Sequence, residues 1–152
     1  MTQYAVEQRW RRERNWLGYA GLLPFLGSAA AGVAAHDSAT VASATRGLLA
    51  YAAVIASFLG AVHWGVAAID ATSRNARLRW GVMPALLAWT LWLLPPGAAL
   101  LGFAVLFAAI LVVDSWLLPI LDEGYRRLRL ELSVVVVLCL LVAAPFAPEV
   151  PA

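Results

Sequence analysis

Charge is what this chain of 152 residues has least of: only 13% of its residues are Asp, Glu, Lys or Arg, about half the share of an ordinary soluble domain. Lysine is absent altogether, and all 11 basic residues are arginine. The net charge of +2 is small and the arginines sit in clusters beside apolar runs, so they read as topology signals and lipid contacts. A nucleic-acid surface is excluded on that pattern. There is one cysteine, Cys139, inside an apolar run, which rules out an internal disulfide and a cysteine-based metal cluster. Phosphate loops, CxxC pairs, HExxH and nucleophile motifs are missing, and two histidines are too few for a confident metal site. No metal and no catalytic residue is therefore expected, and the chain reads as a non-enzyme.

Apolar residues are abundant: 62% of the chain, with a mean hydropathy of +0.78. That is a membrane composition, with room for about five or six crossings of about 20 residues. The fold class expected is all-α, a polytopic bundle of five transmembrane helices. Residues 1–15 hold Arg9, Arg11, Arg12 and Arg14 and read as a cytoplasmic or interfacial segment, its apolar residues Tyr4, Val6 and Trp10 being too few to define an interfacial helix. The transmembrane domain, 16–147, follows, with crossings at about 16–35, 47–69, 80–94, 98–118 and 132–146, and residues 148–152 are a short tail. Pro24 should bend the first crossing, and Gly18, Tyr19, Gly21 and Pro24 interrupt its apolar centre, which argues against a cleaved signal peptide.

Between the crossings, His36 to Arg46 reads as a polar loop with a solvated His36, and Pro95-Pro96-Gly97 reads as a tight reversal. The stretch Leu121 to Glu131 reads as a charged connection, and Pro119, Pro145, Pro148 and Pro151 as stops. Placing the N-terminus inside leaves ten arginines on the inner side and only Arg46 outside, so the N-terminus should be cytoplasmic and the C-terminus external. The bacterial inner membrane is the expected location.

Two ionisable residues remain within the apolar layer, His63 and Asp114. Counted at 1.5 Å per residue from Asp70 and Asp122, they lie about 10 and about 12 Å from the inner edge, at one depth. The carboxylate is thus able to accept a hydrogen bond from the imidazole, at lower cost than either group alone in lipid. Ala56, Gly60 and Ala67 make the His63 stripe small, and Phe107, Ile110, Leu111 and Leu118 make the Asp114 stripe large, so the second stripe is expected to fill the groove of the first. Tyr19, Pro24, Gly60, Trp64, Pro84 and Trp116 crowd the same level and are candidates to line an inward-facing pocket. Three readings stand together: a structural tie between helices, a ligand or proton site, and no contact at all. No cofactor is expected, with a quinone as the alternative; haem would lack a second histidine, since His36 falls at the opposite face.

LGYAGLLPF (17–25), SFLGAVHWG (57–65), MPALLAW (83–89) and DSWLLP (114–119) followed by YRRLRLELS resemble a family of five-helix bacterial and mitochondrial membrane proteins that includes transmembrane protein 69. The resemblance runs from about residue 15 to 142. It implies an inner-membrane bundle, and since that family has no assigned activity it lends no catalytic residue. The expectation is a small non-enzymatic membrane protein that binds a lipid or protein partner or itself, for example an accessory or assembly factor of an energy-transducing complex. The alternative is a proton-, ion- or quinone-binding protein with His63 and Asp114 at its working site.

Overall fold

A computed structural model describes residues 3–118 and 122–148, with side chains from residue 7 onward. The described chain is helical, without strands, and forms five rods. Helices α1 (Gln3–Ala20) and α2 (Leu23–Ala34) make the first rod, followed by α3 (Ser38–Ile69), α4 (Arg74–Trp92), α5 (Pro96–Leu117) and α6 (Glu123–Ala143). A 3-10 turn, Ala144–Phe146, ends the described chain's last element. Pro119, Pro151, the residues beyond 148 and the side chains of Tyr4 and Val6 lie outside the described residues.

The first rod bends where proline chemistry requires it. Pro24 has no N–H and its ring crowds the carbonyl four residues earlier, that of Ala20, which is where α1 stops. Leu22 N–H instead bonds Tyr19 O in a tighter turn, and the Tyr51 hydroxyl donates to Gly21 O at 3.1 Å, so the interrupted ladder is partly satisfied from α3.

Helix boundaries differ from the sequence reading in a consistent direction. The expected loop His36–Arg46 is reduced to residues 35–37, because Asp37 caps α3 by accepting from Thr40 N–H at 2.8 Å and no Gly or Pro interrupts the chain until Gly47. Helix α4 starts at Arg74 and not Trp80. Helix α6 starts at Glu123 and not Leu132, capped by Asp122, which accepts from Tyr125 N–H at 2.7 Å. Pro96 and Gly97 belong to the first turn of α5 and not to the reversal, since proline suits a position whose N–H has no helical partner anyway. Hydropathy marks where a chain leaves an apolar layer, whereas capping and backbone chemistry mark where a helix ends.

Four stretches are long and apolar enough to cross a membrane: Glu7–Ala34, Ser38–Ile69, Pro96–Leu117 and Glu123–Phe146. Helix α4, with three arginines in its first six residues, falls outside that set. It nevertheless runs the length of the bundle. At its start Arg77 bonds Leu117 O at the end of α5, and near its finish Leu91 packs against Gly102 in the second turn of α5. Its 19 residues rise about 28 Å, close to a bilayer's hydrocarbon thickness.

The core is built from Phe25, Leu48, Ala52, Ala56, Leu100, Phe103, Phe107, Ile110 and Leu140, all buried. Phe25 meets Tyr51 and Phe107 edge-on, with ring centroids 5.0 and 5.9 Å apart. Helices α3 and α4 approach closely at Gly60, where a Cβ would lie 2.5 Å from Gly81 O and 3.2 Å from the Pro84 ring. The groove of small residues expected to receive the Asp114 stripe is thus occupied at Gly60 by α4. Proline and glycine backbones approach one another more closely than large side chains allow.

Candidate functional site

Four helices each carry a stripe at helical spacing that is buried or, at Arg129, nearly so, and on each stripe the residue toward one common end of the bundle is ionisable. The stripes are Ala52-Ala56-Leu59-His63 on α3, Arg77-Gly81-Pro84-Ala88 on α4, Phe103-Phe107-Ile110-Asp114 on α5 and Arg129-Ser133-Val136-Leu140 on α6. All share the spacing i, i+4, i+7, i+11, so each polar group is carried inward by the same geometry that buries the apolar ones. They meet at the end where α3 and α5 finish and α4 and α6 begin.

Asp114 stands at the centre of this cluster. Its Oδ1 lies 3.4 Å from His63 Nε2, and its Oδ2 accepts from Arg129 at 2.5 Å. The His63 side chain is fully buried and those of Asp114 and Arg129 nearly so. The sequence reading allows the carboxylate to accept a hydrogen bond from the imidazole if their helices are neighbours; the structure brings the two groups to 3.4 Å and gives the carboxylate's hydrogen bond to Arg129. Among the described residues both His63 nitrogens, Asp114 Oδ1 and Arg129 Nε have no hydrogen-bond partner.

Arg77 is the second residue that the sequence reading passed over. Its guanidinium is 1% exposed and bonds Asp70 Oδ2 at 2.6 Å, Asp70 O at 3.3 Å and Leu117 O at 2.8 Å. It therefore binds the ends of α3 and α5 to the start of α4 and satisfies carbonyls that a helix C-terminus leaves open. Arg74 donates to Ala67 O at 2.9 Å and Trp64 Nε1 to Leu78 O at 3.0 Å across the same junction. The amide of Thr72 and then Arg77 lower the Asp70 carboxyl to about 2. Asp122 is also lowered, by the Tyr125 amide first and then by Arg14 and Arg11, which reach it at 3.1 and 3.3 Å. Ten of the 11 arginines belong to the segments that gather at this end.

Both overlooked arginines lie on extrapolated stripes. Reading the spacing of Ser133, Val136 and Leu140 one step back gives Arg129, and that of Gly81, Pro84 and Ala88 gives Arg77. With those stretches read as connections, the signal was invisible.

A cavity of about 500 Å³ opens between α5 and α6, walled by Leu111, Val112, Leu118 and Leu130, with Arg126 and Arg127 toward the arginine end and the Asp114–Arg129 pair on its inner side. A smaller, mostly apolar cavity of about 170 Å³ lies behind Arg129, between the first rod, α3, α5 and α6. None of Tyr19, Pro24, Gly60, Trp64, Pro84 and Trp116 lines either one. Gly60, Pro84 and the half-exposed Trp64, whose ring lies over Gly81, are consumed by the α3–α4 contact, while Pro24 and Trp116 face outward. Tyr19 is half exposed and donates to Glu131 Oε2 at 2.6 Å. His36 is exposed on the α2–α3 connection, at the opposite end.

A family model described as "Protein of unknown function (DUF3429)" matches residues 10–145, nearly the whole chain. Neither a curated protein nor a solved structure matches.

Proposed function

We propose, for a chain that belongs to the DUF3429 family of unknown function, a multi-pass protein of the bacterial inner membrane that works by holding a partner at its cytoplasmic end. In this reading α4 is the fifth crossing, the arginine-rich end with the N-terminus lies in the cytoplasm, and the C-terminus is external. The observation that carries it is the α5–α6 cavity, which opens at that end beside two ion pairs that hold four helices in register. A neutralised ion pair at the floor beneath a mouth richer in arginine than in carboxylate suits binding, and the Ser115 hydroxyl on the cavity wall is already bonded to Val112 O. An accessory or assembly role beside an energy-transducing complex is part of this reading; the resemblance to a family that includes transmembrane protein 69 suggests the membrane and assigns no activity. Mild extraction of the tagged protein, native sizing and mass spectrometry of what accompanies it test this. Stoichiometric recovery of another membrane complex is the expected outcome, and a bare monomer without lipid or protein would defeat the reading.

One observation favours a second reading, a proton- or ion-handling site. His63 Nε2 and Asp114 Oδ1 face each other at 3.4 Å, both buried, a spacing at which one proton or small cation between them is shielded from lipid. His63 lines neither cavity, so a quinone is not proposed there. In this reading His63→Gln abolishes a proton or ion flux measured in reconstituted vesicles; unchanged flux removes it.

A further inference from the structure

The cavity between α5 and α6 has three properties that together describe an occupant. Its body is aliphatic, from Leu111, Val112, Leu118 and Leu130, on two helices apolar enough to cross a membrane. Val112 and Leu130 are each half exposed on the outer surface of the bundle, so the body opens sideways, toward where acyl chains would lie. At its arginine end stand Arg126 and Arg127, both exposed, and among the described residues no carboxylate comes within ion-pair distance of either. The other cation, Arg129, is already neutralised by Asp114. Glu123, in the first turn of α6, lines the same mouth, so two exposed arginines stand against one carboxylate that pairs with neither: an excess of positive charge about one helical turn beyond the aliphatic wall, on the same face of α6, since Arg126 and Leu130 are four residues apart.

From this arrangement we infer that the cavity holds an anionic phospholipid, with its phosphate at Arg126 and Arg127 and an acyl chain against Leu111, Val112 and Leu130. A free phosphate would leave the aliphatic body empty, and an apolar peptide would leave the two guanidiniums unanswered; one amphiphile with an anionic head satisfies both. Trp116, largely exposed as the last residue but one of α5, stands where aromatic rings meet headgroups. This rests on the membrane reading above and deepens its binding site by naming the ligand class.

The full-length protein in phosphatidylcholine nanodiscs, with and without phosphatidylglycerol, tests it by native mass spectrometry of retained lipid and by thermal unfolding. Phosphatidylglycerol should be retained preferentially and raise the unfolding temperature, while soluble glycerol phosphate does neither. Arg126→Gln with Arg127→Gln should weaken retention about 30-fold, the effect of two arginine contacts near a membrane surface. Arg12→Gln with Arg79→Gln, a charge-matched pair, should leave it near wild type. Ser115→Trp, which fills the cavity with every charge intact, should also remove the lipid. Equal loss in the charge-matched pair would mean diffuse attraction, and wild-type retention in Ser115→Trp would put the lipid elsewhere. Stabilisation by glycerol phosphate alone would make the site one for a free anion. Any of the three overturns the inference. Alkaline carbonate extraction tests the membrane reading separately: release defeats that reading, whereas a protein that stays but retains no phosphatidylglycerol defeats only the inference.

Discussion

Arg129 and His63 make different demands on the same carboxylate, and their variants should separate. Removing Arg129 leaves Asp114 buried and uncompensated, so Arg129→Gln should cost about 3–5 kcal/mol in reversible unfolding, largely restored by adding Asp114→Asn. His63 donates no hydrogen bond to a described residue, so His63→Leu should change stability by less than about 1.5 kcal/mol. A loss for His63→Leu as large as for Arg129→Gln would restore the imidazole as the structural tie. Asp70 sets a pH dependence. Its folded-state carboxyl sits near 2, below the ordinary 3.8, so its stabilising contribution is complete above about pH 4 and disappears as pH falls through about 2. The difference in melting temperature between the wild type and Asp70→Asn in detergent should therefore shrink over that window; a difference independent of pH would show that the ionised carboxylate is not its source.

At the scale of elements, the bundle is organised by where backbones touch. Gly60 and Gly81 let α3 and α4 meet, and Pro84 fills the space beside them. A methyl at Gly60 meets the Gly81 carbonyl, a backbone atom that moves only if the helix moves, so Gly60→Ala should destabilise by about 1–3 kcal/mol. Gly65, with open space around it, is the control and should tolerate alanine. Equal effects at the two positions would show that helix propensity, and not the α3–α4 approach, is being measured. The kink between α1 and α2 follows from Pro24 alone, and its residue range was legible beforehand to within a turn. The long reach of α3, α4 and α6 was not, because Ser, Thr and Arg can leave an apolar layer without leaving a helix.

For the molecule as a whole, the decisive relation is that α3 and α5 finish at the same end. Asp114, near the end of α5, lies against His63 on α3, and Arg77 at the start of α4 bonds both Asp70 and Leu117, so α4 has to return through the bundle's height. In the proposed membrane reading, threading of this kind puts residue 72 and residue 36 on opposite sides of the bilayer. In a Cys139→Ala background, Thr72→Cys should resist an impermeant maleimide in intact cells while His36→Cys reacts. Labelling of both from outside would mean that α3 does not cross; whether α4 crosses is read at Gly97→Cys, beyond its end, which labels from outside if α4 spans and is protected if α4 is a surface helix, the C-terminus then changing sides.

Composition and periodicity by themselves determined that the chain is all-α, where its apolar cores run, and that His63 and Asp114 share a depth, because each of these is set by residues near one another in sequence. Only the tertiary structure decided what Asp114 is paired with. That carboxylate's partner is 15 residues away on the next helix, and Arg129 points inward only because its stretch is helical and in phase with Ser133, Val136 and Leu140. The same holds for the cavity, whose walls come from two helices joined by a connection and whose position no single stretch of sequence contains. Hydropathy scores Arg77 and Arg129 as residues for water, but burial of an arginine depends on a carboxylate or carbonyl waiting at the right height on another helix, and packing alone supplies that.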